Sequence, residues 1–324
     1  MRDKPKSLFK YLSFSDKLLE QLCYDQVYYA DPASFNDPLD CLPVVEADLM
    51  NTKLESLLAQ LVKNRSDKEI DAAMKKVRLR GDNAAARRNK LTEGEACKLL
   101  GEINDNATNP EVQDHDAYIR DALRLAIERA LRKTHETGVL CLSSKFNSPL
   151  MWSHYADQHR GVCVEYDVSE LTDQALHKVS YGESRKVLAS KIHDWLLNDD
   201  LAARQAINKA CLLTKSREWK YEGEWRLLGQ VGLQESTMKL KSIIFGMRCR
   251  DALKYTVVRA LQGRADNVKF WEIVQPTDWF ELKRSRLDID ELMVGMPRCS
   301  AFHDFNDLDS VDSETKGAQE LPIA

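Results

Sequence analysis

The 324-residue sequence contains no run of about 18 apolar residues, so no membrane-spanning helix is expected. Its opening, MRDKPKSLFKYLSF, lacks the long apolar stretch and small-residue cleavage site of a secretory leader. Neither charge sign dominates: 47 Lys and Arg stand against 51 Asp and Glu, a net charge of -4. That balance gives no global attraction to nucleic acid or to a membrane, so any such contact must be local. The eight cysteines occur singly, with no CxxC pair. Several lie inside apolar runs, as in Val139-Leu140-Cys141-Leu142 and Val162-Cys163-Val164, and read as reduced thiols of a cytoplasmic protein. Several catalytic signatures are also missing. There is no GxGxxG, no GxxxxGK[ST], no HExxH and no GxSxG, which argues against a Rossmann cofactor domain, a P-loop, a zincin and an α/β-hydrolase.

What is present alternates in type along the chain. Residues 1–47 read as strand, helix and strand: Leu8 to Leu12, Asp16 to Leu22, and Gln26 to Ala30, followed by the loop Phe35-Asn36-Asp37-Pro38. Residues 48–136 read as a helical insertion. Leu54, Leu57, Leu58, Leu61 and Val62 keep a helical period there, as do Tyr118, Ala122, Leu125, Ile127 and Leu131. Within it, residues 75–90 carry seven Lys or Arg against one Asp; a solvated helical face is the expected role, with phosphate-backbone contact the alternative. Over residues 137–289, strands are expected at Gly138–Ser144, Gly161–Asp167, Lys178–Tyr181, Glu224–Gln230, Lys241–Phe245, Val268–Gln275 and Trp279–Lys283. Helices are expected over Ser184–Lys215, with Val187, Leu188, Lys191, Ile192 and Trp195 on one face, and over Arg250–Gln262. Residues 290–324 are expected to form an acidic, disordered tail. Grouped strands interrupted by helices argue for an α+β fold.

Two segments concentrate chemistry. In LMWSHYADQHRGVCVEYD, residues 150–167, Trp152, Ser153, His154 and Tyr155 stand before an alternating apolar run, a composition suited to a small-molecule pocket. Cys141, His154, His159 and Cys163 could make a Cys2His2 zinc set, but the cysteines sit in apolar strand runs and the spacing matches no zinc knuckle. In WKYEGEWRL, residues 219–227, a strand from Gly223 points Glu224 and Arg226 to one face and Trp225 and Leu227 to the other. If the second pair faces the core, the Glu–Arg pair lies on a wet face.

These motifs, with Leu8-Phe9-Lys10-Tyr11, the Phe35–Pro38 loop and Ile243-Ile244-Phe245-Gly246, resemble an uncharacterised bacterial family of unknown function. The order of elements is distantly similar to ADP-ribosyltransferases of the DarT kind, toxins that modify nucleic acid. That resemblance implies a split mixed sheet and a cytoplasmic enzyme that uses NAD to modify a macromolecule, nucleic acid or protein, or that hydrolyses NAD, in a toxin or phage-defence setting. Glu224 would be the catalytic carboxylate. Lys10, Tyr11, Asn36, Trp152, His154, Tyr155 and Arg226 would contact NAD, with no metal required. At the first strand, Lys10 or Tyr11 stands where His or Arg is usual. The rivals are a metal-dependent nuclease using His154, Asp157, His159 and Glu165, and a non-enzymatic binding protein.

Overall fold

Strand β1 (Ser7–Leu12) leads into α1 (Asp16–Cys23), whose first turn is capped by Ser15, the hydroxyl accepting the Leu18 N–H at 3.2 Å. There follow β2 (Gln26–Tyr29), β3 (Val44–Glu46), and the helices α2 (Asn51–Val77), α3 (Asp82–Ala107) and α4 (His115–Thr134). Next come β4 (Thr137–Ser143), α5 (Pro149–Tyr155), β5 (Val162–Asp167), β6 (Leu176–Lys178), β7 (Ser180–Tyr181) and β8 (Lys186–Leu188). Helices α6 (Ala189–Asn198) and α7 (Leu201–Leu212) precede β9 (Thr214–Lys215), β10 (Glu224–Gln230), β11 (Gly232–Glu235) and β12 (Lys239–Phe245). The chain continues through α8 (Asp251–Leu261), β13 (Lys269–Val274), β14 (Lys283–Arg286) and α9 (Ile289–Gly295). This computed structural model describes residues 4–77, 82–134, 137–265, 267–276, 278–298 and 300. The fold is mixed α+β, and no helix among the described residues is long and apolar enough to cross a membrane.

Contacts divide the chain into two units. The first comprises residues 1–9, 25–146 and 167–239. Its strands run in the order β1-β4-β10-β6, antiparallel throughout, with Arg226 opposite Cys141 on β4 and opposite His177 on β6. Strand β10 is therefore interior to the sheet. Small pairs surround it: β2 with β11, β3 with β8, and β7 with β9. Leu54, Leu57, Leu58, Leu61 and Val62 of α2 are all buried, as their spacing predicts, in one core with Val45, Val187, Ile192, Ile207 and Leu212. The helical insertion is thus packed into this unit's core rather than standing apart from it. On α4 the buried stripe is Leu123, Ile127, Ala130 and Leu131, while Tyr118 and Leu125 are exposed, so the face is rotated from the expected one.

The second unit comprises residues 10–24, 147–166 and 240–324. In it β12 and β13 pair in parallel and β13 and β14 antiparallel, with Phe245 stacked on Phe270. Gly246 is required where it stands: a Cβ there would lie 2.2 Å from the His159 carbonyl oxygen.

Several expectations are corrected. Residues Pro149–Tyr155 form helix α5, because Ser148 caps it and Pro149 opens it. The single helix expected over Ser184–Lys215 is β8, two helices and β9; Asp199 turns left-handed, and Asp200 starts a new helix by accepting the Ala202 and Ala203 N–H groups. The last strand begins at Lys283, leaving Trp279 and Phe280 exposed. Residues 290–295 of the expected tail lie in α9, which is capped by Asp288; the tail from 301 and the side chains of the basic run at 75–90 lie outside the described residues.

Candidate functional site

The Glu224–Arg226 face of β10 is not wet. Glu224 is 4% exposed and Arg226 is 0% exposed, so both faces of the strand are covered. The covering segments bring further charges. The turn after the Phe35–Pro38 loop supplies Asp40 and Cys41, and β9 supplies Lys215.

Arg226 uses every nitrogen of its guanidinium. Nε donates to Glu224 Oε1 at 2.8 Å. Nη2 donates to both Asp40 oxygens at 3.0 and 2.8 Å and to Glu224 Oε2 at 3.1 Å. Nη1 donates to the Leu212 carbonyl at 2.8 Å and meets Cys41 Sγ at 3.1 Å. The Phe35 ring lies over the guanidinium, 5.5 Å from its centre. The planar fork is what lets one cation bind two carboxylates at once.

Lys215 is the second buried cation. Its ammonium lies 2.6 Å from Glu222 Oε2, 3.1 Å from Glu224 Oε2 and 3.4 Å from Asp40 Oδ2, and 5.0 Å from the Trp219 ring centre. Three carboxylates and two cations thus share one buried space. Burial alone would raise the Glu224 pKa, but Arg226 and Lys215 outweigh it and hold the carboxyl at about 2. Burial alone would lower the Lys215 pKa; Glu224, Glu222 and Asp40 reverse that and keep it charged.

Local backbone chemistry sets this arrangement. A 3-10 turn at Arg217–Glu222 ends on Gly223, which is left-handed with φ +54°, so that Glu222 and Glu224 both direct their carboxylates to Lys215. A Cβ on Gly223 would stand 2.5 Å from Ser144 Oγ. The Ser143 hydroxyl donates to the Glu222 carbonyl at 2.5 Å, and the Glu224 N–H donates to the Tyr181 hydroxyl oxygen at 2.8 Å. The Phe35–Pro38 loop is tied in by Trp219, whose indole N–H donates to Asp37 Oδ2 at 2.7 Å. Two motifs separated by more than 180 residues therefore meet at one place.

In the second unit, the other expected residues fall into two groups. Trp152 is 0% exposed; Tyr11 meets it edge-on at 5.2 Å and His159 stacks on it at 6.0 Å. Both faces needed for stacking on a nicotinamide are thus enclosed by protein. Tyr11 is likewise buried, which pushes its phenol pKa up. Lys10 and Tyr155 are half-buried and His154 is exposed on α5; in the first unit Asn36 is exposed. Asp157, Gln158 and His159 follow α5 with φ of 45°, 53° and 71°, three successive left-handed residues without a glycine. Glu165 is buried on β5 and held by Ser242 at 2.6 Å, Lys241 at 2.9 Å and Arg284 at 2.9 Å. Among the described residues, no group of three or more His, Cys, Asp or Glu is placed to hold a metal ion, which bears on both the zinc set and the nuclease set.

Asp40, Cys41, Lys215 and Tyr181 were not singled out by sequence reasoning. The one available signal is Lys215 itself, a charge two residues after the apolar run Cys211-Leu212-Leu213.

The molecule is an α+β protein with a charged network buried across an interior strand. Residues 151–227 match the model of a family described as "Protein of unknown function (DUF2971)", which bears out the resemblance to an uncharacterised family. The matched segment runs from α5 to β10 and includes Lys215, Glu222, Glu224 and Arg226. No curated protein and no solved structure matches the chain.

Proposed function

We propose that this chain is an NAD-consuming enzyme of ADP-ribosyltransferase-like fold, which transfers ADP-ribose to a macromolecule or hydrolyses NAD. The observation carrying the reading is Glu224, an ionised carboxylate fixed at the first residue of β10 by Arg226 and Lys215. It is the residue to which the family resemblance assigns catalysis. Loss of nicotinamide leaves positive charge on the ribose, and a preorganised carboxylate stabilises that charge without reorganising. The oxygen of the attacking hydroxyl or water bonds to the ribose carbon as the ribose–nicotinamide bond breaks, nicotinamide leaves with that electron pair, and the proton of the attacking group passes to solvent. Arg226 serves this reading by positioning Glu224, not by binding pyrophosphate, because its donors are all engaged inside the protein. Asn36, in the same unit as Glu224, keeps accessible surface and is a candidate for NAD contact.

A second reading is a non-enzymatic binding protein in which the motifs build the fold. It rests on the same network: both Glu224 oxygens are already bonded by Arg226 and Lys215. Nicotinamide release from NAD, measured with cell RNA, DNA or protein present and absent, separates the two. The enzyme reading expects release by the wild type and a fall of roughly 10²-fold or more in Glu224→Gln, assayed at a temperature where circular dichroism shows the variant folded. Wild-type protein that neither binds nor consumes NAD leaves the second reading.

A further inference from the structure

A cavity of about 320 Å³ opens in the helical insertion, lined by residues of α2, α3 and α4. Its volume is at the lower end of the range of about 300–1,000 Å³ that ligand pockets occupy. Its floor is apolar: Val62, Ala126 and Ala130 are buried and Leu99 is half-buried. Its walls carry four cations, Arg65, Lys98, Arg129 and Lys133, against two carboxylates, Glu95 and Glu102.

The carboxylates are already committed. Glu95 accepts from Ser66 Oγ at 2.6 Å and pairs with Arg65, and Glu102 lies 3.9 Å from Lys98. Arg129 has no hydrogen-bond or ion-pair partner among the described residues, whereas Arg65 Nε, which makes no hydrogen bond, lies 3.5 Å from Glu69 Oε1. A gap left only by the small side chains of Ala126 and Ala130 would be dry and neutral. This one is open and has two positive charges in excess, one on a guanidinium whose five donors are unused.

We propose that the cavity binds a small organic anion with an apolar body. The carboxylate or phosphate head meets Arg129 and Lys133, and the body lies on Val62, Leu99, Ala126 and Ala130. The site is independent of the NAD reading, since none of its residues belongs to the network around Glu224.

Isothermal titration calorimetry on the full chain tests it with octyl phosphate and octanoate, and with inorganic phosphate and octanol as half-probes. Saturable binding of at least one full probe is expected, with each half-probe weaker; the preferred full probe identifies the head group. The double variant Arg129→Glu with Lys133→Glu, both exposed positions, should weaken binding about tenfold or more while helix content by circular dichroism is unchanged. Leu99→Trp, which fills the cavity without altering charge, should weaken it as well. No saturable heat from either full probe, undiminished binding in the charge-reversed variant, or inorganic phosphate binding as tightly as octyl phosphate overturns the proposal.

Discussion

Arg226 and Glu224 stand two residues apart on one face of β10, joined by an Nε–Oε1 hydrogen bond of 2.8 Å and shut off from solvent. Side chains at i and i+2 of a strand point the same way, so the pairing is dictated locally. What makes it unusual is its position on an interior strand, where an ion pair needs further partners to offset its desolvation. Asp40, Lys215, Glu222 and the Leu212 carbonyl supply them.

Removing one member therefore costs more than a surface pair would. Arg226→Ala leaves Asp40 and Glu224 buried beside a single ammonium, and should lower the unfolding free energy by about 3–5 kcal/mol. Arg226→Lys should recover only part of this, because an ammonium cannot span both carboxylates as the fork does. Urea unfolding of the two variants against wild type gives the comparison; equal midpoints for Arg226→Lys and wild type would show that the fork geometry is unimportant.

The same network predicts a specific acid sensitivity. Glu224 takes up a proton near 4.5 when unfolded and near 2 when folded, so between those values the unfolded chain binds more protons. The stabilisation is complete above pH 4.5 and is lost as pH falls toward 2. Urea midpoints measured across this window should fall with pH for wild type and fall less steeply for Glu224→Gln, which has no carboxyl to titrate at that position.

Gly223 is the hinge that lets Glu222 and Glu224 converge. Gly223→Ala must hold a Cβ in a left-handed conformation, at a cost of about 1–2 kcal/mol, and must also displace Ser144 Oγ. The thermal midpoint should drop. A variant Ser144→Ala, which clears that contact, should restore part of the loss when combined with Gly223→Ala.

These relationships show which features local sequence could reveal. The α2 stripe and the bounds of β10 were legible because a helix of 27 residues and a strand of seven repeat their period enough to be seen. Helix α5 has only seven residues, too few for a period, and only Ser148-Pro149 marks its start. Alternation along β10 separates Glu224 and Arg226 from Trp225 and Leu227, but it carries no information on whether the second face is covered. The partners that cover it come from Phe35, Asp40, Leu212 and Lys215, and the pairing of Arg226 with Asp40 spans 186 positions. Such a pairing depends on the order β4-β10-β6 and on β7 aligning with β9, neither of which is written in any one segment.

The left-handed run Asp157-Gln158-His159 gives a prediction of opposite sign. Each non-glycine residue in this conformation costs about 1 kcal/mol, and here the run is kept by long-range bonds: His159 N–H to the Trp152 carbonyl at 3.2 Å, and Arg248 N–H to the His159 carbonyl at 2.9 Å. Gln158 is exposed, and its side chain accepts an exposed hydrogen bond from Arg160 at 3.2 Å, so substitution there acts mainly through the backbone. Gln158→Gly should relieve the strain and lose part of the gain to the greater entropy of the unfolded chain, for a net stabilisation of about 0.5 kcal/mol. Gln158→Val, β-branched and ill-suited to positive φ, should destabilise by more than about 1 kcal/mol. Thermal unfolding of the pair against wild type should place glycine highest and valine lowest; the reverse order would mean that residue 158 is not left-handed in solution.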